Sequence, residues 1–165
     1  MISCFFIRVI RFILALCACI GCSSALAEET TLCKAHEEVY FSCHIAKKIA
    51  SVCASGNISP ENGYVQYRFG DLSHVELEYP NLPYAPRNSF SISDIDQGNA
   101  KFTHLKFKSG KYNYVIYSGF PSGLYIKKSG KTISNLTCDP GDYQAISPRA
   151  FRGIRTVPPA NDIDN

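Results

Sequence analysis

Apolar and polar residues alternate along most of this chain with a period of two, the mark of strands that bury one face. The clearest run is Lys101 to Cys138, KFTHLKFKSGKYNYVIYSGFPSGLYIKKSGKTISNLTC, in which three short turns divide four strands. The phrase KFKSGK at Lys106 to Lys111 returns as IKKSGK at Ile126 to Lys131. In each, a Ser-Gly pair supplies the central positions of a tight turn, where glycine accepts a positive φ. With Ser109 and Gly110 in the first loop, Lys108 pairs with Lys111, Phe107 with Tyr112, Leu105 with Tyr114 and Thr103 with Ile116. That register puts Leu105, Phe107, Tyr112, Tyr114 and Ile116 on one face. The other face carries Phe102, His104, Lys106, Asn113, Val115 and Tyr117. It is polar near the turn and half apolar away from it, so another segment should cover its far end.

Upstream, Val39 to Ile45 and Ile49 to Ala54 read as a hairpin about a two-residue turn at Lys47-Lys48. The strings YVQYRFG and HVELEY alternate as half-buried antiparallel strands do. PNLPYAPR, from Pro80 to Arg87, carries three prolines and cannot be an inner strand. Ser89 to Ile95 is a weaker strand, closed by the turn Asp96-Gln97-Gly98-Asn99. Ile133 and Leu136 have opposite parity, so the last strand needs a bulge near Ser134 to keep both inside. Short, evenly spaced strands without helical periodicity predict an all-β domain, a single antiparallel β-barrel or sandwich of about eight to nine strands. Beyond Cys138 the chain is rich in proline. The β domain is expected over 28–157 and a mobile tail over 158–165, with Tyr143, Ile146 and Phe151 as candidates to cover the half-apolar face.

Residues 1–27 change the picture, because they read as a cleaved secretory signal. Arg8 and Arg11 precede an apolar run, and small residues end in Ala25-Leu26-Ala27. The run is too short for a confident membrane span. Lipid attachment at Cys19 or Cys22 is the rival reading. Cleavage after Ala27 would make the protein periplasmic or secreted and leave 138 residues with 15 basic against 14 acidic side chains. A near-neutral domain is poorly suited to nucleic acid, whose nonspecific binding rests on excess Lys and Arg.

Of eight cysteines, Cys33, Cys43, Cys53 and Cys138 would survive cleavage, and four in an exported chain predict two disulfides. The first hairpin places Val39, Phe41, Cys43, Ile45, Ala50 and Val52 on one face and Cys53 on the other. Cys43 and Cys53 should therefore not bond. Cys138 shares parity with Leu136 and can meet Cys43, leaving Cys33 for Cys53. The spacings lack the paired C-x-x-C knuckles of a zinc site, and no metal or other cofactor is expected.

Among candidate functional residues, charge placement stands out. Lys108 opposite Lys111 and Lys128 opposite Lys131 break a pairing rule worth about 0.2 to 1 kcal/mol per pair, and broken local rules are expected at functional sites. Up-and-down order brings both turns to one end, so Lys106, Lys108, Lys111, Lys127, Lys128 and Lys131 would form a basic pole able to meet an acidic partner. Phe120, in the loop Gly119-Phe120-Pro121-Ser122-Gly123, is either tucked under its loop or presented as an anchor. His104 lies on the ordered hairpin without a neighbouring carboxylate in sequence, and reads as a surface histidine rather than an acid–base group. Asp94-Ile95-Asp96-Gln97-Gly98-Asn99 departs from a calcium loop in its glycine position and in lacking the closing Glu, so it reads as a turn. Neither Ser109 nor Ser122 lies in G-x-S-x-G.

The spacing C-x9-C-x9-C, the phrase GYVQYRFG and the hairpins ending in NLTC resemble an uncharacterised family of small exported, disulfide-containing β-proteins of Gram-negative bacteria. More distantly, the chain is similar to periplasmic inhibitors of c-type lysozyme, which carry S-G-x-x-Y. Here Ser109-Gly110-Lys111-Tyr112 and Ser122-Gly123-Leu124-Tyr125 are each one residue shorter. That resemblance implies a disulfide-tied β-barrel presenting a serine, such as Ser109, and a basic residue from its loops. A β framework without a nucleophile, base and orienting group in sequence points to a non-enzymatic binding or inhibitor module. Its expected partner is a protein or glycan of the cell envelope, and the chain is not expected to be an integral membrane protein. A small secreted hydrolase and a structural or adhesive envelope protein are the alternatives.

Overall fold

The computed structural model describes residues 30–164; the signal expected over 1–27, with Cys19 and Cys22, lies outside them. Eleven strands follow in order: β1 Glu37–Ile45, β2 Lys48–Ser55, β3 Val65–Asp71, β4 His74–Tyr79, β5 Phe90–Gln97, β6 Ala100–Ser109, β7 Tyr112–Ser118, β8 Gly123–Lys128, β9 Lys131–Thr137, β10 Tyr143–Gln144 and β11 Arg155–Thr156. They form two sheets, ordered β10-β1-β2-β3-β4 and β11-β5-β6-β7-β8-β9. All pairings are antiparallel except that of β11 with β5. The sheets remain open at their edges and pack as a sandwich, which decides between the two expected architectures. One helical turn, α1 Asn161–Asp164, ends the described chain.

The alternation read from the sequence builds the core. Phe41, Ala50, Val52, Val65 and Tyr67 from the first sheet meet Ile92, Leu105, Phe107, Ile116 and Leu124 from the second. Burying each large side chain contributes about 1.5 to 3 kcal/mol. Phe107 sits at the centre, stacked on Tyr79 at 4.5 Å and on Tyr114 at 4.7 Å, and 5.0 Å from Tyr67. Both disulfides form as expected. Cys33–Cys53 ties the N-terminal segment to β2, and Cys43–Cys138 ties β1 to the end of β9.

Two hairpins turn elsewhere than expected. The first closes at Ala46-Lys47, with Ile45 opposite Lys48, because Asp139 accepts the Ala46 amide and holds the turn. A bulge at Tyr40 then moves Val39 opposite Cys53 and buries the Tyr40 ring. The β6–β7 hairpin closes at Gly110-Lys111, with Ser109 opposite Tyr112 and Lys108 opposite Asn113. Gly110, at φ 58°, takes the first central position. The shift is two residues, so the faces keep their members while the Lys108–Lys111 opposition disappears. The same phrase turns differently at Ser129-Gly130, where Lys128 does stand opposite Lys131. The expected bulge in β9 is present, but it ejects Ile133, 54% exposed, rather than burying it.

The tail departs furthest from expectation. Residues 157–164 are laid across the outer face of the second sheet, where Ser93 donates to the Val157 carbonyl, Tyr125 to the Ile163 carbonyl, and Lys106 to Asp164. This strap covers the polar end of that face near the turns, and the half-apolar far end stays open, the reverse of the expected arrangement. Of the segments expected as the cover, Ile146 enters the core between the sheets and Phe151 is exposed. Tyr143 pairs with Cys43 at the edge of the first sheet.

Candidate functional site

The second sheet carries every residue singled out for binding, but on three separate places. At the end of the β6–β7 and β8–β9 turns, Lys108, Lys111, Lys128 and Lys131 are exposed. The two turns line one depression together with Asp162 of α1, and the Lys128 ammonium stands 5.4 Å from the Tyr112 ring centre. Ser109 is half-buried beside them. Lys106 and Lys127 do not join this pole. Both point out from the sheet but are buried, at 7% and 3% exposure. Lys106 donates to Ser93 Oγ and Asp164 Oδ2, each at 2.7 Å.

The opposite end carries Phe120. Its ring is 91% exposed, so the side chain is presented rather than tucked. The loop beneath it is braced by buried Ser122. The Ser122 hydroxyl accepts from the Gly119 amide at 3.2 Å and donates to the Gly119 carbonyl at 3.0 Å. The Ser122 carbonyl accepts from the Cys138 amide, which anchors the loop beside a disulfide.

Between these ends lies an open groove of about 340 Å³, lined by Phe102, His104, Tyr117, Pro121, Tyr125, Lys127, Thr132, Asn135 and Asp164. β-sheet alternation puts His104, Tyr117, Tyr125 and Lys127 on this one face, and the end of the strap walls it with Asp164. His104 is buried, not a surface histidine. Its Nδ1 lies 2.9 Å from Asp164 Oδ1 and 3.3 Å from the Tyr125 hydroxyl. Burial raises the Asp164 pKa, but hydrogen bonds from Lys106, the Ala160 amide and His104 outweigh it and hold the carboxyl below its ordinary value. Burial drives His104 below its ordinary value against the pull of Asp164, helped by the charges of Lys106 and Lys127. A neutral imidazole beside a carboxylate must donate from Nδ1. Its Nε2 is then a lone-pair acceptor. The arrangement can orient a histidine as an acceptor or base in a largely apolar groove, with a lysine beside it.

No neighbour of His104 in sequence points to this pairing, since its carboxylate lies 60 residues away. One signal was available. The parity that sets His104 and Lys106 on one outer face leaves two ionisable groups needing a counter-charge if that face is covered, and the tail contains acidic residues. Of the other three histidines, His44 Nδ1 meets Asp142, His36 meets the Tyr64 hydroxyl, and His74 is exposed. Among the described residues, the one group with metal-ligand proximity is Cys33, Glu37 and Cys53, and its two sulfurs are joined in a disulfide. Also among the described residues, no helix is long and apolar enough to cross a membrane. The chain finds no matching family model, curated protein or solved structure.

Proposed function

We propose that this protein is a non-enzymatic, exported binding or inhibitor module that engages a protein or glycan partner in the cell envelope or outside the cell. The observation that carries this reading is Phe120, an almost fully exposed ring on a loop braced from below by Ser122. Large aromatics on rigid supports are the residues that dominate interfaces, because little conformational entropy is lost when they are buried. The four exposed lysines at the far end of the same sheet suit an acidic surface and would act mainly on the association rate. The inhibitor form of the proposal follows from the resemblance to lysozyme inhibitors. The test is affinity capture from envelope extract with the wild-type chain, with Phe120→Ser, and with Lys108, Lys111, Lys128 and Lys131 all changed to Ser. A partner held by the wild type should bind Phe120→Ser about tenfold or more weakly and should associate more slowly with the lysine variant. An unchanged partner list and affinity for Phe120→Ser would overturn the reading.

A small hydrolase is the second reading, favoured by the oriented His104–Asp164 pair, since a positioned base is one requirement of hydrolysis. Turnover of a glycan or peptide by the purified protein, lost in His104→Gln, would put this reading in place of the first.

A further inference from the structure

A second recess, of about 350 Å³, opens on the second sheet where the strap passes the β6–β7 end. Pro158 and Ile163 of the strap line one side, and Ser91, Lys108 and Asn113 of β5, β6 and β7 line the other. Four basic side chains border it, Arg87, Lys106, Lys108 and Arg155, and among the described residues no carboxylate does. The His104 groove and the depression between the lysine turns each include an aspartate, Asp164 and Asp162. Strand register brings the basic residues together. Arg155 of β11 stands opposite Ser91, Ser91 opposite Lys106, and Lys108 lies two residues further along β6. With strands about 4.8 Å apart and a rise of about 3.4 Å per residue, the Arg155 and Lys108 backbones are roughly 12 Å apart, a gap that two long side chains can close around one small anion.

The four cations are not equivalent. Lys106 is held by Asp164 and Ser93, and Arg87 pairs with Glu61. Arg155 and Lys108 are exposed and, among the described residues, their side chains form no ion pair or hydrogen bond. The lining also holds Ser89, which is 6% exposed and whose hydroxyl has no hydrogen-bond partner. Buried hydroxyls are seldom left unpaired, and this one lacks a partner that the chain itself does not supply.

We infer that this recess is a phosphate-monoester site, in which the Arg155 fork and the Lys108 ammonium hold the phosphoryl oxygens and the Ser89 hydroxyl donates to the ligand. A phosphate monoester carries about −1.5 to −2 charge at pH 7 and three strong acceptor oxygens, which matches two uncompensated cations. A guanidinium binds two such oxygens at once. A single carboxylate would leave one cation unmatched, and an uncharged ligand would leave both. The volume admits a compact organic body beside the phosphate, at the small end of ligand pockets. Soluble phosphosugars and lipid headgroups both present this chemistry.

The site shares Lys108 with the envelope-partner reading and is otherwise separate from it. The test is NMR titration of the purified protein with glucose 6-phosphate, glucose and glucuronic acid, together with sedimentation on phosphatidylcholine vesicles with and without phosphatidic acid. Glucose 6-phosphate should shift the Ser89, Ser91 and Arg155 amides saturably at millimolar concentration or below, and the other two sugars should bind at least tenfold more weakly. Arg155→Gln should weaken the ester about tenfold, and Lys108→Gln, on a different strand, should do the same even if Arg155→Gln fails to fold. Lys131→Gln, at a lysine outside the recess, and Phe120→Ser should leave the titration unchanged, so this inference and the envelope-partner reading fail separately. Response to the soluble ester alone assigns the site to small phosphates. Sedimentation that requires phosphatidic acid and is lost in Arg155→Gln assigns it to a lipid headgroup. Absence of both responses, equal response to glucuronic acid, or binding that persists in Arg155→Glu combined with Lys108→Glu would overturn the phosphate site.

Discussion

The outer faces of the two sheets meet the same problem in different ways. Each carries a buried cation, Arg68 on the first and Lys106 on the second, and each is covered by a terminal segment. On the first sheet, residues 30–36 are tied down by the Cys33–Cys53 disulfide, and the Arg68 guanidinium bonds Glu37, Glu78, Gln66 and the Leu32 carbonyl. On the second, the strap of residues 157–164 is held by hydrogen bonds around Asp164 and by the edge pairing of β11. The first face is covered over Arg68, which is 2% exposed. The second is partly open and holds a histidine with an acceptor to spare. A covalently tied cover with a forked arginine is suited to stability, whereas a face closed by one carboxylate can leave a groove beside it.

If that contrast is right, the largest effect should come from Glu37→Leu, which strips a buried charge from Arg68. Chemical denaturation should show a loss of about 3 to 5 kcal/mol, and a loss under 1 would place the arginine in the class of exposed ion pairs. Replacing Cys33 and Cys53 by serine should cost about 3 kcal/mol and raise amide exchange in residues 30–36. Asp164→Asn should cost less, roughly 1 to 3 kcal/mol, and should act locally. Hydrogen exchange should rise in the strap and at Lys106 while β1–β4 stay protected; uniform exchange across both sheets would show that the strap folds as part of the core.

The two faces should also separate by pH. His104 titrates below its ordinary 6.5, so the stability linked to its neutral form is present above about 6.5 and is lost as pH falls through the lowered folded value. The groups facing it are Lys106, Lys127, Asp164, Tyr117 and Tyr125. Burial raises the Glu37 pKa, but bonds from Arg68, the Lys34 amide and Tyr64 bring it from 4.5 to about 2, so its contribution is present above 4.5 and lost on the way down to about 2. Strap signals should therefore loosen in mild acid and the first sheet only in strong acid. Simultaneous loss of both would erase the distinction. The smallest effect should be Ala46→Gly, which relieves a φ of 55° at a non-glycine turn residue and should raise stability by a few tenths to about 1 kcal/mol by thermal unfolding.

Alternation determined the strands and most of the faces and, with the cysteine count, both disulfides, because side chains in a strand change face at every residue and a register slip of two leaves parity intact; it missed the bulge at Tyr40 that turns Val39 to the face of Cys53, and the direction in which the β9 bulge sends Ile133. Intact parity is why Cys43 and Cys53 could be kept apart although both turns were misplaced by one position. Turn position was not legible, since KSGK closes at Gly110-Lys111 in one hairpin and at Ser129-Gly130 in the other. Partners elsewhere in the fold, Asp139 at Ala46 among them, decide which residues enter a loop. The basic pole was read from spacing, and burial divided it into four exposed lysines and two covered ones. The groove depended on tertiary structure entirely. His104 became an oriented acceptor only when Asp164 crossed 60 positions of sequence to reach it, through a proline-rich tail with no periodicity to betray where it docks. Pairing between buried charges is set by where the chain returns in space, and local sequence carries no record of that distance.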